Sequence, residues 1–407
     1  MRKSIRPAIA GLACLAASAV PAEDWPGFLG PRHDASVAET IRLDWDKRPP
    51  ETLWKAQIGK GCASFSIQGD RALSLGNADE KDTLWCLDAA TGAVLWKHTY
   101  DEPLADKQYT GGPSAQPTID GDRVYSLSKS GRLACLEIAT GKVLWTKHYE
   151  ADFGGRRSDW GWSASPRVLG DHLLIDPGAE GGSIAMIDKL TGALFWKAGD
   201  EKPGYAAPLI FEHGGRRMAA YFQAKGLCVY DLDAKGSLIF KYPWRTNWGV
   251  NASNPQYHQG RLFFASGYGQ GYGIIDISGA EPQLAHRDRD MELMFQNSVF
   301  DGGHVMAVFE DKGEPARLAR LDMATGNVLW RHELPGERGS LLRAGRHLVI
   351  LCETGDLVLG QADEKGFKEI ARQKPLSDLC WAPPALANGR LYLRDNLGSA
   401  VCLDVRP

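Results

Sequence analysis

The sequence predicts an all-β fold, an eight-bladed β-propeller whose last blade is closed by the N-terminal strand. Three observations carry that expectation. A short turn pattern recurs along the chain, with successive glycines 40 to 51 residues apart. The two ends of the chain hold complementary fragments of the same pattern. Glycine (46) and proline (22) are spread throughout, and no long stretch keeps a helical apolar period.

The pattern is an apolar strand, an acidic residue, Thr-Gly, and a short strand ending in Trp. The first copy runs Leu87-Asp88-Ala89-Ala90-Thr91-Gly92-Ala93-Val94-Leu95-Trp96. It returns at Glu137, Thr140-Gly141 and Trp145, at Asp188, Thr191-Gly192 and Trp196, and at Asp322, Thr325-Gly326 and Trp330. Weaker copies lie at Asp231 with Gly236, at Asp276 with Gly279, and around Gly366. Such a period, with several strands per unit, marks propeller blades. Each residue type has a physical task. The carboxylate caps the turn backbone. The glycine supplies the positive φ that a tight hairpin needs. The indole carries an apolar face that one blade cannot bury alone, so Trp145 is expected to be largely buried between blades.

The blade count follows from the ends. Seven turn glycines are followed by Ala400-Val401-Cys402-Leu403-Asp404, which stops at the acidic position. The missing final strand stands near the other end as Glu51-Thr52-Leu53-Trp54-Lys55, with Trp54 in the place that Trp96 holds in the first blade. Pairing the two makes an eighth blade and leaves the ring without free edges. The boundaries read from this are a signal peptide at 1–22, an N-terminal extension at 23–50 and the propeller at 51–407.

The N-terminus has the form of an export signal. Arg2, Lys3 and Arg6 precede an apolar stretch from Ala8 to Ala19 that is too short to span a bilayer, and small residues follow up to Ala22. Lipidation at Cys14 is disfavoured, because Leu12 stands one place from where a lipobox needs it. The protein is therefore expected to be periplasmic or secreted, with no transmembrane span. A formal net charge of -3 offers nucleic acid no basic field.

Loss of Cys14 with the signal would leave seven of the 8 cysteines, an odd number that suits no disulfide framework. Cys86, Cys135 and Cys402 each stand two residues before the acidic position, as small apolar strand residues would. Cys62 and Cys380 flank the ring closure and are the one pair considered for a bridge. The run Gly267-Tyr-Gly269-Gln-Gly271-Tyr-Gly273 is read as a blade loop and not a nucleotide loop, since the following Ile274-Ile275-Asp276 reads as a strand.

The Asp-x-x-Thr-Gly-x-x-x-Trp repeat resembles the tryptophan-docking motif of pyrroloquinoline quinone (PQQ) repeat propellers, over about residues 51 to 405. That resemblance implies structural roles for Trp54, Trp96, Trp145, Trp196 and Trp330. It also implies one of two functions, a quinoprotein dehydrogenase or a cofactor-free binding scaffold. The vicinal Cys-Cys pair and the Cys-x-x-Cys-His segment of the larger dehydrogenases are missing, and no calcium-ligand set maps onto the chain. The expectation is thus a non-enzymatic scaffold with protein or glycan partners, without catalytic or metal-binding residues and without a cofactor. The alternative is a dehydrogenase oxidising an alcohol or sugar with PQQ and calcium. Ligand-binding candidates lie where blade connections lead into innermost strands: Arg157, Trp160, Trp162, Asn247, Trp248, Asn251, Gln296, Arg338 and Trp381. Aromatics mixed with amides and arginines suit a planar or extended ligand.

Overall fold

A computed structural model describes residues 23–107, 109–311 and 314–407. The expected signal peptide and Cys14 lie outside the described residues. The chain forms eight antiparallel four-stranded blades, one of which gains a short fifth strand from the N-terminal extension. The first blade shows the plan, with strands Ser66–Gln68, Arg71–Ala78, Lys81–Asp88 and Val94–Asp101 hydrogen-bonded in sequence order. The middle strands are almost wholly buried, whereas the fourth alternates between solvent and core, as an outer strand must.

The ring closes as the sequence implies. Strand Glu51–Gln57 pairs antiparallel with Ser399–Asp404, and Trp54 stands opposite Cys402. The same cross-strand pair recurs as Trp96 with Cys86 and Trp145 with Cys135. The same place is held by Met186 opposite Trp196 and by Arg320 opposite Trp330, so the register is fixed while the residue facing the indole varies. A bulge interrupts the register at this position in the closing blade and in the first two. The extra residue adds local twist, which turns the indole toward the next blade.

The turn chemistry is also as read. Asp88 Oδ1 accepts hydrogen bonds from the backbone N–H groups of Ala90 (3.1 Å) and Thr91 (2.8 Å) and from the Thr91 hydroxyl (2.8 Å). These donors, the Thr91 hydroxyl first, hold its carboxyl below the usual range. Trp54, Trp96, Trp145 and Trp330 donate their indole N–H to carbonyls of the following blade: Ala89 (3.1 Å), Ile138 (2.8 Å), Lys189 (3.3 Å) and Asp363 (2.9 Å). A Cβ on Gly92 would lie 2.8 Å from the Trp54 ring, and one on Gly141 would lie 2.5 Å from Trp96. Glycine is therefore demanded by the ring above it as well as by φ values of 72° and 74°. In the degenerate fifth blade His286 takes the Trp seat, with its ring beneath Gly326. Burial of the indoles is uneven. Trp54 and Trp196 are buried, but Trp145, expected to be largely covered, is only half-buried although it holds the same outer-strand position.

In such a blade, the turns after the first and third strands lie on one face, and the second-strand turns and blade connections lie on the other. The N-terminal extension covers the first of these faces across the mouth of the channel. Trp25 exchanges both backbone hydrogen bonds with Ile67 of the first blade, and Pro26 accepts from Ile119 N–H of the second. Ser36–Val37 pairs parallel with Arg343 and Ala344 of the seventh blade. Glu39 accepts from the backbone N–H of Asn388 and Gly389 of the eighth, each at 2.7 Å. Trp25, Leu29 and Trp45 of this segment are buried. The channel is plugged at that end. All seven described cysteines are free thiols, so the bridge considered between Cys62 and Cys380 does not form.

Candidate functional site

The opposite face opens into a cup of about 280 Å³ over the plugged channel. Tyr109, Trp160, Tyr205, Phe295 and Trp381 reach it from blade connections, and Tyr268 from a hairpin of the fifth blade. Their rings support one another. Trp381 stacks on Tyr109 (centroids 6.4 Å apart, planes at 14°) and tilts against Phe295 (4.7 Å), while Trp160 meets Tyr205 edge-on at 6.0 Å. Ser114, Ser163, Ser165 and Asn254 add polar groups, and Phe28, from the plug, closes the lower end. None of the described lining residues carries a charged side chain. Cys62 borders the cup, but burial pushes its thiol up to about 11, which keeps it protonated and unreactive at neutral pH.

A second cavity, of about 430 Å³, lies beside the cup and shares Trp160 with it. Its walls include Asp106, Lys107, Lys129, Arg157, Asp159 and Trp248. Lys129 is buried. Its ammonium donates to the carbonyls of Ala105 (3.1 Å) and Leu104 (3.4 Å) and lies 4.4 Å from the Tyr109 ring centre. Burial pushes its pKa down to about 8, and Arg157 opposes its charge further, against the pull of Cys62, Asp82 and Glu102. Trp248 is 68% exposed and sits at φ 64° within the turn Asn247–Gly249.

Of the residues picked from sequence, Arg157, Trp160, Trp248 and Trp381 line these cavities. Asn247 is exposed on the same turn as Trp248. Trp162 lines neither cavity. It is buried in the core, with its indole N–H on the Pro177 carbonyl (3.3 Å) and its ring edge-on to Tyr149. Asn251 is fully buried and donates to Gln223 O (2.7 Å) and Trp244 O (3.2 Å), pinning its connection to the fourth blade. Gln296 and Arg338 stand behind Phe295 and not in the cup. Gln296 donates to Glu310 (3.1 Å), and Arg338 pairs with Glu310 (2.8 Å) and Glu353 (3.5 Å). Burial raises the Glu310 carboxyl, and the Arg338 contact partly offsets this.

Sequence reasoning missed Tyr109, Tyr205, Phe295, Tyr268, Lys129 and Phe28. The first three stand in connections shortly before an innermost strand, as Trp160 and Trp381 do, so that rule would have found them. Tyr268 and Lys129 lie in hairpins between second and third strands, which share the face. Nothing in the pattern announces Phe28. Among the described residues, no three His, Cys, Asp or Glu side chains gather as a metal-holding group.

A family model described as outer membrane protein assembly factor BamB matches residues 44–151 and 80–332. No curated protein matches the sequence. Among solved structures, BamB from Moraxella catarrhalis superposes with a TM-score of 0.60 at 16% identity, covering 87% of this chain and 97% of its own. The quinohemoprotein alcohol dehydrogenase from Comamonas testosteroni gives 0.68 at 14% identity, over 95% of this chain and 81% of its own. A europium-containing methanol dehydrogenase gives 0.70 at 12%, over 93% and 90%. At such identities the likeness establishes the fold and leaves the activity open.

Proposed function

The chain belongs to the propeller family whose model is described as outer membrane protein assembly factor BamB, and from that premise we propose that it is an exported, non-enzymatic scaffold binding a protein or glycan partner on one face. The observation that carries this reading is the cup, with its seven aromatic side chains, hydroxyl and amide groups, and no charge among the described lining residues. Aromatic walls with a few polar groups favour an uncharged, partly apolar surface, which both kinds of partner offer. The pattern of residues 1–22 supports export.

The runner-up is a PQQ-dependent dehydrogenase. PQQ bears three carboxylates, and burying them requires converging cations and a metal. The described lining of the cup has neither a cation to meet the carboxylates nor a carboxylate to hold a metal, and Arg338 is engaged by Glu310 and Glu353. The residues of the cup therefore fit the quinone poorly, which favours the scaffold. Calorimetric titration with PQQ and calcium tests this. The scaffold reading expects no saturable heat. Binding tighter than about 1 μM, lost in Trp160→Ala, would overturn it in favour of the dehydrogenase.

A further inference from the structure

We propose that the cleft beside the cup is a subsite for an acidic saccharide, a sugar ring carrying a carboxylate or sulfate. In this subsite Trp160 and Trp248 pack on the ring faces, and Lys129 and Arg157 receive the anionic group. The inference deepens the reading of the neighbouring cup as a binding site and rests on it.

Three cations (Lys107, Lys129 and Arg157) and two carboxylates (Asp106 and Asp159) line the cleft, which leaves positive charge in excess, and among the described residues neither Lys129 nor Arg157 is held in an ion pair. Lys129 is 6% exposed, and its contacts among the described residues are two backbone carbonyls and one ring face. Burial disfavours the ammonium, the nearby Asp82 and Glu102 offset part of that cost, and Arg157 adds like-charge repulsion. An anion entering the cleft relieves both. It takes up the donor capacity that Lys129 leaves unused, and it cancels the repulsion.

Trp248 supplies the second, independent observation. A bulky residue at φ 64° is a backbone outlier that costs on the order of 1–3 kcal/mol. Here the strain presents the most exposed of the large apolar side chains among the described residues to solvent at the cleft wall. Such strain on an aromatic at a cavity mouth is expected where the ring serves a ligand.

The ligand class follows from combining the two. A sugar ring is rigid and offers a flat C–H face to an indole, while its hydroxyls can donate to Asp159 in the wall. An acidic peptide carries carboxylates on flexible stems and has no such face. The cleft volume of about 430 Å³ falls within the usual range for small-ligand sites. Because Trp160 borders both cavities, linked sugars can run from the charged cleft into the neutral cup.

The test is calorimetric titration of the exported chain with four probes: an oligogalacturonate, its fully methyl-esterified neutral form, a sulfated galactose oligomer, and an oligoglutamate peptide. We expect one of the acidic saccharides to bind, and which one binds identifies the anion. The neutral ester should bind at least about tenfold more weakly, as for loss of a hydrogen bond to a charged group. Arg157→Gln should erase that preference and Trp248→Ala should abolish binding. Both residues are exposed, so both variants should keep the circular dichroism of the parent. Equal binding of acid and ester, no binding by any saccharide, or oligoglutamate binding as tightly as the saccharides would each overturn the proposal. Tyr268→Ala, in the cup and outside the cleft, separates the two readings. If acid-selective binding survives it undiminished, the subsite stands and the role of the cup in holding this ligand falls.

Discussion

Trp54→Ala probes the ring closure most directly. Trp54 is 6% exposed and lies against Phe65 (ring centroids 6.2 Å apart), Tyr392 (6.0 Å) and the Gly92 turn of the first blade. Its indole donates to the Ala89 carbonyl, but that carbonyl also accepts from the Tyr392 hydroxyl at 3.2 Å. Truncation therefore strands no buried acceptor, and the cost is that of burial lost and a cavity left, ~3–5 kcal/mol. Trp330 is half-buried and makes the equivalent hydrogen bond to Asp363, so Trp330→Ala should cost about half as much, ~1.5–2.5 kcal/mol. Equilibrium urea unfolding followed by tryptophan fluorescence measures both, through the midpoint and its slope. A loss below ~1 kcal/mol for Trp54→Ala, or equal losses at the two sites, would refute the idea that the burial of this indole locks the last blade to the first.

Two other outcomes follow from buried titratable groups. Burial pushes Asp82 up to about 7, with Glu102 reinforcing the shift and Asn77, Lys129 and Tyr100 opposing it. Between about pH 4 and 7 the unfolded chain ionises this carboxyl while the folded chain holds its proton, so stability falls as pH rises through that window. Asp82→Asn should stabilise the protein at pH 8 by up to a few kcal/mol and make no difference below about pH 4. Urea midpoints that move in parallel for the two proteins across that range would contradict it. The thiols make the other test. All seven described cysteines should alkylate in denatured, unreduced protein, and mass spectrometry would expose a Cys62–Cys380 bridge as two thiols missing.

The scaffold was legible because each of its instructions is local. An Asp, a Thr-Gly and a Trp within ten residues specify a capped hairpin whose indole must seek the next blade. Repetition of that unit counts the blades without any knowledge of long-range contacts. Even the closure could be read, since the orphan strand at Trp54 and the incomplete blade at Cys402 are halves of one local pattern. The degenerate copy was harder to read. His286 fills the seat of a tryptophan, and only its position beneath Gly326 reveals the substitution.

The site was legible by location and not by residue. Trp160, Trp248, Arg157 and Trp381 reach the cavities, but Trp162, two positions from Trp160, turns into the core. In an irregular connection no period assigns neighbours to faces, so composition cannot separate a wall residue from a packing residue. Arg338, a ligand-binding candidate by its place in the sequence, is instead paired with Glu310 and Glu353, which no local pattern announces.

By itself, then, the sequence determined the all-β class, the number of blades, the turn chemistry and the closing strand, because these depend on residues close together in the chain or repeated along it. Only the tertiary structure decided that residues 23–50 plug one mouth of the channel, that Phe28 closes the lower end of the cup, and that Lys129 is buried near Arg157 and outside an ion pair among the described residues. Each of these depends on groups from distant segments converging around one axis, where burial and neighbouring charge set the chemistry and no local pattern records it.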